Sequence, residues 1–168
     1  FEGISPVDYK LKETHQYTMA LPASYYGPGS YSNWMRVGWA LASTHKKMFL
    51  TWLKFSAQEN CRDTLRGNDG KFDWSNVSVL FQEWLTFDFD NPDGLTHRSI
   101  MYWCKLNAGP GKYEEINVQT IDYFVQQTLD VNQGTEFDLA SVLFNLYKDR
   151  FVCVSIKNNC WYEYENHR

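Results

Sequence analysis

Residues Trp34–Ser56, WMRVGWALASTHKKMFLTWLKFS, constrain the fold more than any other stretch. Trp34, Val37/Gly38 and Leu41 recur at the spacing of one helix face. Phe49, Trp52 and Phe55 repeat that spacing after a break near Ser43-Thr44. Thr44 is placed to cap the second helix, because its hydroxyl can accept from an orphan N–H of the first turn. The result is an αα-hairpin with a large aromatic inner face. Arg36, Lys46, Lys47 and Lys54 fall outside that face, and no acid lies between residues 31 and 58. Such a row is ordinarily a solvated helix face. The sharper alternative is a surface for phosphates.

Charge is unevenly spread. The formal net charge is −4, which by itself does not mark a nucleic-acid binder. Residues 31–66 carry +4 and residues 96–112 carry +3, whereas residues 67–95 and 113–168 carry −5 each. Helices could bring the two basic blocks onto one face. With 168 residues, seven tryptophans, eleven tyrosines and eleven phenylalanines, the chain has ample apolar area for one sizeable core or two small ones. Cys61, Cys104, Cys153 and Cys160 form no CxxC pair and have no histidine at zinc-finger spacing, so free thiols of an intracellular protein are expected. No apolar run approaches the length of a membrane span, and no signal peptide is visible. The chain opens at Phe1 and stops after Arg168, and is expected to be a piece of a longer polypeptide.

Along the chain, residues 1–30 show no sustained period and read as a linker or N-terminal extension with at most one short packed segment. Residues 31–111 read as a helical module. Asp73 caps a helix to Leu85 with Val77, Leu80/Phe81 and Trp84/Leu85 inward. Thr96 caps another, His97–Asn107, which Gly109-Pro110-Gly111 stops. Residues 112–168 continue with a helix from about Tyr113 to Leu129. A Thr135–Asp138 capping box then opens a helix through Leu139, Val142/Leu143, Leu146 and Tyr147. The period next changes to two, and Phe151–Ile156 and Cys160–Tyr164 read as a β-hairpin turning about Asn158-Asn159. Cys153 would then face Glu163 or Tyr164, not Cys160. The expected fold is mostly α, a helical bundle of about five or six helices with a C-terminal β-hairpin.

Catalytic motifs are weak. Asp88 and Asp90, with Ser43-Thr44-His45, suggest the paired carboxylates of a two-metal nucleotidyltransferase or nuclease. However, His45 starts a helix and the aspartates run into a Pro-containing turn, so an acidic loop is the better reading. Gly67–Lys71 and Gly109-Pro110-Gly111-Lys112 lack the spacing of a phosphate loop. Asn76-Val77-Ser78 is a sequon inside a helix. His97 and Arg98 open a helix, where free N–H groups can meet a phosphate.

Thr135–Arg168, with its capped helix, Tyr147-Lys148-Asp149-Arg150-Phe151-Val152-Cys153 turn and Trp161-Tyr162-Glu163 strand, resembles the opening of the module before the helicase in poxvirus-type primase–helicases of nucleocytoplasmic large DNA viruses. Asn33–Gly38, Trp52–Ser56 and Leu95–Trp103 resemble the helical primase C-terminal module that precedes it there. The resemblance implies a whole protein with a primase before this region and a superfamily-three helicase after it, acting as a hexameric ring. Mg²⁺ and ATP would serve those missing parts, with no cofactor and no turnover here. It implies work in the host cytoplasm at the site of viral replication, without a membrane. The region itself would be a connector touching single-stranded DNA or primer-template and the flanking domains of its own chain. Arg36, Lys46, Lys47, Lys54, Arg62, His97, Arg98, Tyr102 and Lys105 are the candidate contacts. The alternative is a protein-interaction or oligomerisation module, suggested by the aromatic load.

Overall fold

The computed structural model describes residues 6–59, 61–89, 94–129, 135–147 and 150–163. Among them are seven α-helices and one two-stranded antiparallel sheet. In chain order the helices are α1 (Pro6–Met19), α2 (Tyr31–Thr44), α3 (Phe49–Ser56), α4 (Val77–Leu85), α5 (His97–Asn107), α6 (Lys112–Leu129) and α7 (Glu136–Tyr147). The strands are β1 (Phe151–Ser155) and β2 (Cys160–Glu163). The fold is mostly α with a C-terminal hairpin. The chain divides into two compact units, Phe1–Tyr113 and Glu114–Arg168.

The first unit is built around indoles. Trp34 of α2 stacks on Trp52 of α3 at 4.6 Å, and Trp52 meets Trp84 of α4 at 5.7 Å and Phe87 at 5.2 Å. All four are buried. Trp34 Nε1 donates to Ser56 Oγ at 2.8 Å, so the indole is buried without losing its hydrogen bond. Gly38 is required by this packing, since a Cβ there would lie 2.9 Å from Phe87 Cε2 and 3.0 Å from the Trp52 ring. The expected αα-hairpin is present, but a 3-10 turn, Lys46–Met48, precedes α3, and the side-chain cap sits on that turn at His45, not at Thr44. His45 Nδ1 accepts from Lys47 N at 3.0 Å, whereas Thr44 Oγ1 donates back to the Ala40 carbonyl.

Residues 6–19, read from sequence as part of a linker, instead form α1, which packs on α5, α3 and α2. Its buried face is Tyr9, Thr14, Tyr17 and Thr18. Thr14 and Thr18 each donate to the carbonyl four residues back, at 2.7 Å. That local bond satisfies their hydroxyls and lets polar residues line a core. Helix α4 also departs from expectation. Leu80 and Trp84 are buried, but Phe81 and Leu85 are exposed. Helix α5 has the predicted ends, with a Thr96–Ser99 capping box and Ile100, Trp103 and Cys104 buried. Leu106, a candidate for that stripe, is exposed.

In the second unit the capping box forms as read: Thr135 donates to Asp138 Oδ2 at 2.9 Å through N–H and at 2.6 Å through its hydroxyl. Of the apolar face expected for α7, Val142 is buried while Leu139, Leu143, Leu146 and Tyr147 are exposed. The hairpin register pairs Phe151 with Glu163, Val152 with Tyr162 and Cys153 with Trp161. It then slips, so that Ser155 faces Cys160. Cys153 therefore faces Trp161, not Glu163 or Tyr164. The turn, residues 156–159, is one residue longer than expected, and within it Asn159 takes a left-handed conformation, φ 47°. All four cysteines are free thiols.

Candidate nucleic-acid interface

Helices α2 and α5 run antiparallel. Ser43 Oγ, near the end of α2, donates to the Leu95 carbonyl just before α5. Arg36 lies over the Trp103 ring at 4.9 Å, and Tyr25, before α2, accepts from Asn107 at the end of α5. This packing joins the two basic blocks of the sequence through one residue, Arg36, which is exposed along α2 with Trp39.

The nine candidate residues fall into three sets by the elements that carry them. On α5, Arg98, Tyr102 and Lys105 follow one another at i, i+4 and i+7, opposite the buried Ile100, Trp103 and Cys104. All three are exposed, Tyr102 at 61%, and Lys105 Nζ lies 5.5 Å from the Tyr113 ring. His97 is half-buried at the start of the same helix. On α2 and the segment after α3, Arg36 lies over Trp103, and Arg62 packs against both Tyr31 at 4.7 Å and Trp34 at 4.6 Å. Burial pulls the Arg62 guanidinium down from its ordinary value, partly offset by Tyr31.

The third set is Lys46 and Lys47, just before α3, and Lys54 within it. Lys47 reaches Asp8 at 3.9 Å, both side chains being exposed, so the pair adds little stability. Lys54 stands near His15, whose pKa is lowered by burial and then by that ammonium. His15 Nδ1 is 3.0 Å from Thr51 Oγ1.

The structure adds a feature that periodicity missed. An open cleft of about 670 Å³ lies between the end of α2 and α4. One wall carries His45, Lys46 and Lys47, and the other Phe81, Leu85 and Phe89, with Trp84 behind them. Among the described residues no lining residue is acidic. Helical spacing assigned Phe81 and Leu85 to a core face, and nothing in the local sequence shows that α2 ends opposite them. Trp39 was missed because it falls between the spaced positions 38 and 41 that mark the inner face.

Asp88 is exposed and belongs to neither helix nor strand, so the strand geometry that paired carboxylates would need is absent at it; Asp90 lies outside the described residues. Among the described residues no three His, Cys, Asp or Glu side chains come together to hold a metal ion. No helix is long and apolar enough to cross a membrane among those residues.

The family described as Primase C terminal 2 (PriCT-2) matches residues 15–104, more than half of the chain. The chain belongs to the PriCT-2 family. The matched stretch begins inside α1 and ends in α5, so it holds the indole core, the cleft and the start of the α5 stripe. Over 138 residues, a span that must overlap the PriCT-2 region, the chain is 26% identical to the "Putative helicase L207/L206" of Acanthamoeba polyphaga mimivirus. That match covers 82% of this chain and 13% of the mimiviral protein. The similarity to a primase module and to a viral helicase-named protein agrees with the resemblance of the sequence to the middle region of a viral primase–helicase.

Proposed function

We propose that this PriCT-2 chain is a non-catalytic connector in a viral primase–helicase and holds single-stranded template on the outer face of α5. The observation that carries it is the Arg98–Tyr102–Lys105 stripe. Seven residues of helix separate the two cations by about 10 Å, with a ring between them. Single strands are held by that combination, cations on the phosphates and an aromatic face for a base. The PriCT-2 match and the helicase-named relative supply the context of replication. Copying and unwinding, with their Mg²⁺ and ATP, are assigned to parts of the protein outside these residues.

Fluorescence anisotropy with a short single-stranded oligonucleotide tests it. Wild type binds weakly, and log K falls with log salt. Arg98→Gln with Lys105→Gln flattens that slope by roughly 1.4, about 0.7 for each lost phosphate contact. Tyr102→Ala costs about 1–3 kcal/mol with the slope retained. Equal affinity and slope in all three proteins at matched salt would sink the reading.

A second reading, self-association, is favoured by one observation in the second unit. An apolar groove of about 530 Å³ is lined by Ala140, Leu143, Phe144, Tyr147, Phe151 and Trp161. Among the described residues the hairpin beside it has two strands, and no other strand pairs with either outer edge. Two identical edges can pair about a two-fold axis, which makes a second copy of the chain the occupant.

A further inference from the structure

We propose that the cleft between α2 and α4 takes an unpaired nucleobase of single-stranded DNA, with the adjoining phosphate held by Lys46 and Lys47. The inference rests on the reading that the chain contacts single strands, and it adds a second, distinct contact to the α5 stripe.

Three observations carry it. The first is the pairing of chemistries. Phe81, Leu85 and Phe89 present apolar and aromatic surface on one wall, and His45, Lys46 and Lys47 line the other, with no carboxylate among the described lining residues. A nucleotide has the same two parts, a flat π-faced base and an anion. A purely apolar partner would leave the lysines unused. Among the described residues Lys46 has no ion-pair partner, and the Lys47 pair with Asp8 is long and exposed, so a phosphate displaces little.

The second observation is that the walls are already organised. Phe81 is held edge-on by Phe49 at 5.1 Å, and Phe89 by Trp84 at 5.9 Å. The lysine wall is fixed by the His45 Nδ1 cap on the Lys47 N–H. About 670 Å³ is within the range of small-ligand sites. Preset rings lose little freedom when a base enters.

The third is continuity. Ser43 is both a lining residue and the donor to the Leu95 carbonyl. That contact sets the lip of the cleft against the start of α5, one turn before Arg98. A strand lying on Lys105, Tyr102 and Arg98 therefore runs off α5 beside the cleft. This favours a base within a strand over a free nucleotide, for which two lysines and no phosphate loop make a poor site.

Oligonucleotides carrying one 2-aminopurine test the proposal, because stacking on protein rings quenches that base. With wild type, binding is expected to quench it at least two-fold. Lys46→Glu and Leu85→Glu alter exposed side chains, and thermal melts establish that each variant folds. Each is expected to lose the quenching and about ten-fold in affinity. Arg98→Gln with Lys105→Gln is expected to lose affinity but keep the quenching at saturation. Unchanged quenching and affinity in both cleft variants, with affinity lost in the α5 variant, overturns the cleft and leaves the connector. A wild type that binds no strand even at low salt overturns both. Free 2-aminopurine nucleoside monophosphate bound as tightly as the strand overturns the assignment to a strand.

Discussion

Gly38 shows how little space separates the rings at the centre of the first unit. Adding a methyl group places a carbon 2.9 Å from Phe87 and 3.0 Å from Trp52, neither of which can swing away, because both are buried among Trp34 and Trp84. Overpacking of this kind costs about 1–3 kcal/mol. Alanine returns up to about 1 kcal/mol through better helix propensity. Gly38→Ala is therefore expected to lower stability in urea by roughly 1–2 kcal/mol, net of both effects. Adding Phe87→Leu should recover part of that loss, a non-additivity that a double-mutant cycle measures. Additive losses would place the strain elsewhere. The sequence shows Gly38 on the inner helix face, but not which rings it admits. Trp52 and Phe87 lie 14 and 49 residues further on.

At the scale of elements, α5 and α1 are opposite cases. Helix α5 announces itself through Thr96, the Ile100–Trp103–Cys104 spacing and Gly109-Pro110-Gly111, all within the chain's own neighbourhood. Helix α1 hides because its buried face is tyrosine and threonine, whose hydroxyls lower the apolar signal until local back-bonds satisfy them. The α1–α3 contact is expected to be pH-sensitive through His15. Its folded pKa lies below the ordinary 6.5, chiefly from burial. Between the two values the unfolded chain binds a proton that the folded chain refuses, so stability rises with pH there and falls on acidification below 6.5. His15→Gln should flatten the difference in melting temperature between pH 7.5 and pH 5.5 relative to wild type. An unaltered pH dependence would assign the effect to other groups.

On the scale of the whole molecule, the second unit leaves Leu143, Phe144 and Trp161 exposed beside a hairpin of two strands among the described residues. If a second copy covers them, light scattering should show mass rising from monomer toward dimer with concentration, and Phe144→Asp should return it to monomer. A strictly monomeric wild type at high concentration would count against self-association through this groove. The sequence by itself determined that the chain is mostly helical, where most helices start and stop, that a hairpin closes it, and that its cations come in two blocks. Those properties depend on caps, breakers and periodicity within a few residues. Only the tertiary structure decided that Arg36 meets Trp103, that Phe81 and Leu85 face a cleft rather than the core, and that lysines 46 and 47 stand across from them. Each joins residues tens of positions apart, and such pairings are set by how large rings fill space together, which no local pattern encodes.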